Sequence, residues 1–224
     1  METQIYDGSC FVPEKTNPLQ EFFTIVSRID SSSIPDPVLH SDELEKANRF
    51  HQQSDREAYI YRHHYLNTWL SKLSNVPIAP KSFLLNSDKK PFLKDSPLHF
   101  NISRSESQCA FVFGPAQTGI DIEIIRNTED YKELAAIHFH PEEHKALCDS
   151  NDPDLFLKIW TRKEAYLKAK GTGLVDDLRR FNCLQEVLID DNSSFRISTF
   201  TGSDFIMSIS IPSRIKLPVK RFIY

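Results

Sequence analysis

Thr118-Gly119-Ile120-Asp121-Ile122-Glu123-Ile124-Ile125 sets Ile120, Ile122 and Ile124 in alternation with Gly119, Asp121 and Glu123. Such alternation marks a half-buried β-strand, because successive side chains of a strand point to opposite faces. The isoleucines take one face and Asp121 and Glu123 share the other, with their Cβ atoms roughly 7 Å apart at a rise of ~3.3 Å per residue. Two carboxylates side by side repel unless a cation or a base lies between them, and hard oxygen donors in pairs suit magnesium. A solvated polar face is the plain alternative for a lone D-x-E.

Outward from this strand, Leu98 to Ser103 and Cys109 to Phe113 are short, apolar and β-prone. Farther along, Glu186 to Asp190, Phe195 to Phe200, Phe205 to Ile211 and Val219 to Ile223 read as strands joined by loops. Asp42 to Leu73 carries no breaker and repeats Leu44, Ala47, Phe50, Ala58, Tyr61, Tyr65 and Trp69 at near-helical spacing, which predicts one long helix or two abutting ones. A second helix is expected over Pro153 to Lys170, closed by Gly171 and Gly173. Turn formers place joints at Ser31 to Pro37, Asn75 to Pro80, Asn86 to Pro97, Gly114 to Gly119 and Asp149 to Asp154. Each half thus has one large helix and several strands, an α+β pattern with helices packed on antiparallel sheet.

The bulk numbers agree with a self-sufficient fold. A chain of 224 residues, 40% hydrophobic and 11% aromatic, can bury a core as one large domain or two small ones. Cys10, Cys109, Cys148 and Cys183 form no C-x-x-C pair, which argues for reduced thiols rather than a zinc knuckle. Met1 to Phe11 has no basic stretch ahead of an apolar one, and no apolar run is long enough to span a bilayer, so the expectation is a soluble cytoplasmic protein. The net charge of −4 offers no basic field for nucleic acid; a polyanionic ligand must be gripped locally, which favours a small phosphorylated molecule.

The second acidic position lies on the helix from Pro153. Phe156, Trp160 and Leu167 mark an apolar stripe, and Glu164 falls on it one turn after Trp160. Lys168 follows four residues later, so a helix-surface ion pair would account for both residues. The other reading combines the D-x-E strand, this Glu and Lys and nearby basic residues into what phosphoryl chemistry needs: metal ligands, a base and cations for phosphate oxygens. His63-His64 and His138-x-His140 lack a third ligand at sensible spacing, so surface or core roles are the simpler reading.

Three blocks in this order, His99-Phe100-Asn101-Ile102-Ser103-Arg104-Ser105, Gly119 to Glu123, and Trp160-Thr161-Arg162-Lys163-Glu164-Ala165-Tyr166-Leu167-Lys168-Ala169 with Gly171 and Gly173-Leu174, resemble the signature blocks of surfactin-type 4′-phosphopantetheinyl transferases. With Glu45 to Phe50 and the Lys89-Lys90-Pro91 turn, the resemblance covers about residues 40 to 180. It implies a pseudodimer of two similar α/β halves, 1–115 and 116–224, with coenzyme A and magnesium in the cleft between them. By the same resemblance Asp121 and Glu123 hold Mg2+, Glu164 is a third ligand or the base for the incoming serine, and Lys168 reaches the phosphates. Lys46, Arg49, Lys90 and Arg104 would line the adenosine and its 3′-phosphate. The partner implied is an apo acyl or peptidyl carrier protein, modified on serine with release of 3′,5′-ADP by a monomeric enzyme. Departures from the family pattern are Arg104 where many members have histidine, Glu106 at a glycine position, and Ala58 where relatives often place arginine. Glu143, in the stretch ahead of the last block, is expected to be structural. A catalytically inactive relic that binds the carrier or coenzyme A, and another metal-dependent phosphoryl-transfer enzyme, are the alternative readings.

Overall fold

A computed structural model describes residues 3–5, 17–30, 34, 36–74, 83–87, 89–126, 131–172, 177–190 and 193–223. Cys10, the Asn75 to Pro80 joint and Gly173-Leu174 lie outside the described residues. The fold is α+β, and two sheets organise it. The first has the order β1 (Thr3–Ile5), β11 (Val219–Ile223), β2 (Phe22–Arg28), β6 (Gln108–Gly114), β5 (His99–Ser105). The second has the order β7 (Gly119–Ile124), β10 (Phe205–Pro212), β9 (Ser193–Thr201), β8 (Val187–Asp190), and all its pairings are antiparallel. A small hairpin, β3 (Phe83–Leu85) with β4 (Pro91–Leu93), is a sheet of its own, with Leu93 in the core beside β5 and β6.

Period-two side-chain alternation explains how the layers stack. On β2 and β6, Phe23, Ile25, Cys109, Phe111 and Phe113 face one way and pack with Leu66, Trp69 and Leu70 of the long helix α2 (Gln53–Ser74). Val26, Ala110 and Val112 face the other way and meet Ile120 and Ile122 of β7 and Phe205, Met207 and Ile209 of the second sheet. Buried on both faces, β6 reads as a continuous apolar run rather than an alternating one. On the far side of the second sheet lies α5 (Leu155–Lys170), with α3 (Tyr131–His138) and α4 (Pro141–Asp149) beside it around Phe139, Phe156, Ile159 and Ile206. Among the described residues no helix is long and apolar enough to cross a membrane.

Some elements match the sequence reading and others differ from it. Of the two forms expected over Asp42 to Leu73, the structure has the second, two helices, α1 (Ser41–Ala47) and α2. The break lets α1 fold back so that buried Glu43 accepts hydrogen bonds from His40 N and Asn67 Nδ2 and pairs with His63 Nδ1, while Leu44, read as apolar stripe, is exposed. The Asn86 to Pro97 joint contains β4, whose first residue Pro91 occupies a strand start, where a missing N–H costs nothing. The first sheet is mixed rather than antiparallel, because β11 inserts between β1 and β2 and runs parallel to both. Strands β1 and β2 and helices α3 and α4 had no counterpart in the sequence reading.

His63, His64 and His140 have structural partners, His63 through its pair with Glu43. His64 Nδ1 accepts from Val38 N at 2.9 Å, and His140 caps α4 by accepting from Glu142 N at 3.3 Å. Glu143 is fully buried: Oε2 accepts from His140 N and pairs with Lys163 Nζ at 2.8 Å, while Oε1 accepts from Cys183 N at 2.6 Å. Lys163 Nζ also donates to Leu178 O and Phe181 O, so no polar atom of the pair is left unsatisfied.

Candidate active site

The two sheets abut along β5 and β7, and side chains join them. Asn101 Oδ1 accepts from Ile120 N at 2.9 Å, Ser103 Oγ donates to Asp121 Oδ1 at 2.8 Å, and Ser105 Oγ donates to Glu123 Oε2 at 2.6 Å. Ser105 Oγ also accepts from Ile124 N at 3.2 Å. Residues 101, 103 and 105 share one face of β5, as Asp121 and Glu123 share one face of β7, so the two period-two patterns mesh. The sequence reading gave the serines no role; their signal was the N-x-S-x-S alternation opposite D-x-E.

From the other side α5 supplies Glu164 and Lys168. It lies on β7 at backbone contact: a β-carbon on Gly119 would fall 2.1 Å from Ala165 O and 2.4 Å from Ala169 N. Only glycine permits this approach. Lys168 Nζ reaches Asp121 Oδ1 at 2.6 Å and Ser103 Oγ at 3.0 Å. The helix-surface pair with Glu164 is thus replaced by a tertiary pair with Asp121. Buried Glu164 Oε1 and Asp121 Oδ2 have no hydrogen-bond partner among the described residues.

Electrostatics follow from that burial. Desolvation pushes the Glu164 carboxyl up to about 7; the negative charge of Asp121 adds to the rise, Lys168 opposes it, and Glu123 adds a smaller push. Asp121 is raised by burial against the pull of Lys168 and Ser103, and Glu123 by burial against the Ser105 hydrogen bond, with Asp121 reinforcing the rise. Three carboxylates therefore share one pocket of like charge with one ammonium among them. Among the described residues, no three His, Cys, Asp or Glu side chains converge closely enough to cage a metal unaided.

The remaining basic residues singled out in the sequence make contacts of their own. Lys46 Nζ lies over the Tyr59 ring, 5.4 Å from its centroid, and Arg49 pairs with Glu45 on α1. Lys90 Nζ donates to the backbone carbonyls of Thr118 and Lys168. Arg104, on the opposite face of β5 from Ser103 and Ser105, points toward α2, where Nη2 lies 3.5 Å from Asp55 Oδ1. Beside it stands Arg62, a neighbour of Ala58 to which the sequence reading assigned no ligand role. Burial pushes its guanidinium pKa down, the Cys109 and Asp55 side chains oppose this, and the Arg104 charge adds to it. Glu106 takes the left-handed conformation (φ 46°) in the β5–β6 turn, and its carboxylate pairs with Arg126.

Comparison with known proteins places this site in a family context. HetI, a 4′-phosphopantetheinyl transferase of Nostoc sp. (strain PCC 7120), is 37% identical over 146 residues, 61% of this chain and 61% of its own length. The 4′-phosphopantetheinyl transferase gsp of Aneurinibacillus migulanus is 29% identical over 142 residues, covering 60% of this chain and 59% of its own. A 4′-phosphopantetheinyl transferase of Bacillus subtilis is 27% identical over 189 residues, 81% of each chain. The alignments with the first two span about three-fifths of those relatives' length. Residues 117–210 match the 4′-phosphopantetheinyl transferase superfamily, and that stretch holds Asp121, Glu123, Glu164 and Lys168.

Proposed function

We propose that this protein is a surfactin-type 4′-phosphopantetheinyl transferase: it moves phosphopantetheine from coenzyme A to a serine of an apo acyl or peptidyl carrier protein and releases 3′,5′-ADP. The observation that carries this reading is the trio of buried Asp121 and Glu164 with half-buried Glu123, with Lys168 on Asp121 and two carboxylate oxygens without a partner among the described residues, inside the stretch that matches the superfamily. In the same reading the halves are 1–115 and 116–224, and the enzyme is a cytoplasmic monomer with no nucleic-acid or membrane partner.

The carboxylates fit Mg2+. Asp121 Oδ2 and Glu164 Oε1 are buried oxygen donors without hydrogens to accept, and a cation would relieve the repulsion within the trio. The absence of a complete protein cage is compatible, since magnesium usually takes one or two carboxylates plus waters and substrate phosphates. When bound by Asp121 and Glu123, it would supply charge neutralisation at the pyrophosphate; Glu164 is either a further donor to it or the base for the serine, and its raised carboxyl favours the base. Glu164, with a carboxyl pushed up to about 7, is suited to take the serine proton near neutral pH. As the serine oxygen bonds to the phosphorus next to pantetheine, the bond from that phosphorus to the bridging oxygen breaks and its electron pair leaves with 3′,5′-ADP. Lys168 offers positive charge beside the departing phosphate, while Ser103 and Ser105 hold the two strand carboxylates in place.

Apo-carrier proteins incubated with coenzyme A and magnesium should gain one phosphopantetheine mass, and exhaustive chelation should abolish the gain. Full activity without metal would overturn the metal assignment. No modification of any fatty-acid, polyketide or nonribosomal-peptide carrier would favour the binding-relic alternative.

In this reading Arg104 and Arg62, with Lys46 and Arg49, line the nucleotide. Arg104 pairs with Asp55 while the Arg62 guanidinium stands close enough to feel the Arg104 charge, which leaves positive charge for a phosphate. Replacing Arg104 or Arg62 by alanine should weaken coenzyme A binding by about 1–3 kcal/mol, and dephospho-coenzyme A much less, by calorimetry. Equal losses with both ligands would show that these residues do not read the 3′-phosphate.

A further inference from the structure

Lys90 stands at the end of the β3–β4 turn. Its ammonium donates to Lys168 O at 2.5 Å, Thr118 O at 2.9 Å and Ala169 O at 3.4 Å. An ammonium has three protons, so these three acceptors use all of them. The carbonyls of Lys168 and Ala169 are among the last four of α5, which have no partner within the helix, and the negative end of the helix dipole favours a cation there. Thr118 immediately precedes β7. One side chain thus caps the helix that carries Glu164 and Lys168 and ties it to the strand that carries Asp121 and Glu123.

The surroundings are built for this contact. Asn86 Oδ1 accepts from Lys90 N at 2.7 Å and Asn86 N donates to Lys90 O at 3.0 Å, which fixes the turn. The end of α5 is open to the turn because residue 171 is glycine: a β-carbon there would lie 2.9 Å from Asn86 Nδ2 and 3.3 Å from Lys90 Cδ. At Gly119 the helix rests on β7 with no side chain between them, so interlocking side chains do little to stop the helix sliding along the strand there. A hydrogen-bonded cation across the two backbones does resist it.

We propose that Lys90 is a positioning residue that sets the axial register of α5 on β7, and with it the placement of Glu164 and Lys168 relative to Asp121, rather than a ligand of the nucleotide. The kinetic part of the test rests on the transferase reading above; the structural part does not. Lysine acetylation of the free protein, read by peptide mass, should leave Lys90 unlabelled, with no change when coenzyme A is added. Labelling of Lys90 in the free protein that coenzyme A suppresses would overturn the proposal, whether or not any carrier is modified.

Lys90→Met keeps the stem and removes the donors. It should lower kcat by about 10- to 100-fold while the KM and calorimetric Kd for coenzyme A stay within about twofold. Lys90→Arg, which restores donors, should recover most of kcat. A Lys90→Met protein with unchanged kcat and a Kd raised about tenfold would identify Lys90 as a nucleotide ligand and overturn the proposal. Failure of the unmutated protein to modify any carrier would count against the transferase reading alone, and the acetylation result would still decide the role of Lys90.

Discussion

Glu164→Gln is expected to lower turnover by a factor on the order of 10² to 10⁴ while coenzyme A still binds, because the amide keeps the shape of the side chain and loses its basicity. Added magnesium should not rescue a lost base. If high magnesium does restore turnover, Glu164 is chiefly a metal ligand and the proton goes elsewhere; full activity would remove Glu164 from the mechanism altogether. Asp121→Asn and Glu123→Gln offer the contrast, since loss of an anionic ligand should be partly rescued by excess magnesium or manganese.

The same substitution should change stability in the opposite direction. The Glu164 carboxyl is raised from 4.5 to about 7 in the folded protein, so the folded state holds the proton more tightly than the unfolded chain does. The stability this contributes is complete below the unfolded value of 4.5 and is lost as pH rises through about 7. Metal-free Glu164→Gln, which stays neutral, should therefore be more stable than the unmutated protein at pH 8, by at most on the order of 3 kcal/mol. The difference should shrink toward pH 5. Urea melts in chelator at the two pH values would check this; equal midpoints at pH 8 would mean that the ionised carboxylate is already compensated.

Glu143→Ala is expected to cost about 3–5 kcal/mol, because it leaves the Lys163 ammonium charged, buried and without its counter-ion. Both side chains are fully buried, at 0% exposure, and the pair also joins α4, α5 and the segment through Leu178, Phe181 and Cys183. In a chain of this size the melting temperature should fall by roughly 10 °C. Lys163→Met should be comparably harmful, and the double substitution Glu143→Leu with Lys163→Met should cost much less than the two single losses combined. Turnover per folded molecule should change little, since neither side chain reaches the trio. A loss below about 1 kcal/mol for Glu143→Ala would show that water reaches the vacated ammonium.

Local periodicity made a good part of this legible. The alternation from Thr118 to Ile125 set Ile120, Ile122 and Ile124 on one face and the carboxylates on the other, and in the structure Ile120 and Ile122 pack between the sheets while Asp121 meets Ser103 and Lys168. The closing glycine of α5 was equally readable: Gly171 adopts the left-handed conformation (φ 78°) and its N–H bonds to Leu167 O. These features depend on residues a few positions apart, and backbone geometry alone links them. In contrast, β2 has a buried apolar pattern like any core segment, and its place depends on β11, almost two hundred residues away in the chain. No short-range signal reports a parallel partner that distant.

The sequence by itself determined which residue types the candidate site would hold on β7 and α5, a strand D-x-E and a glutamate and a lysine one turn apart on a helix, but it assigned no role to the serines of β5. Tertiary structure alone decided the pairings. Glu164 and Lys168 have ideal spacing for each other, yet the close approach of α5 to β7 at Gly119 brings Asp121 and Ser103 within reach of the ammonium, which bonds to both. Arg104 and Lys90 were equally plausible phosphate cations by type; one turned toward Asp55 and Arg62, and the other was spent on backbone carbonyls at the end of a helix. A residue's chemistry is written in its side chain, but the partner that chemistry meets depends on where distant backbone segments come to rest.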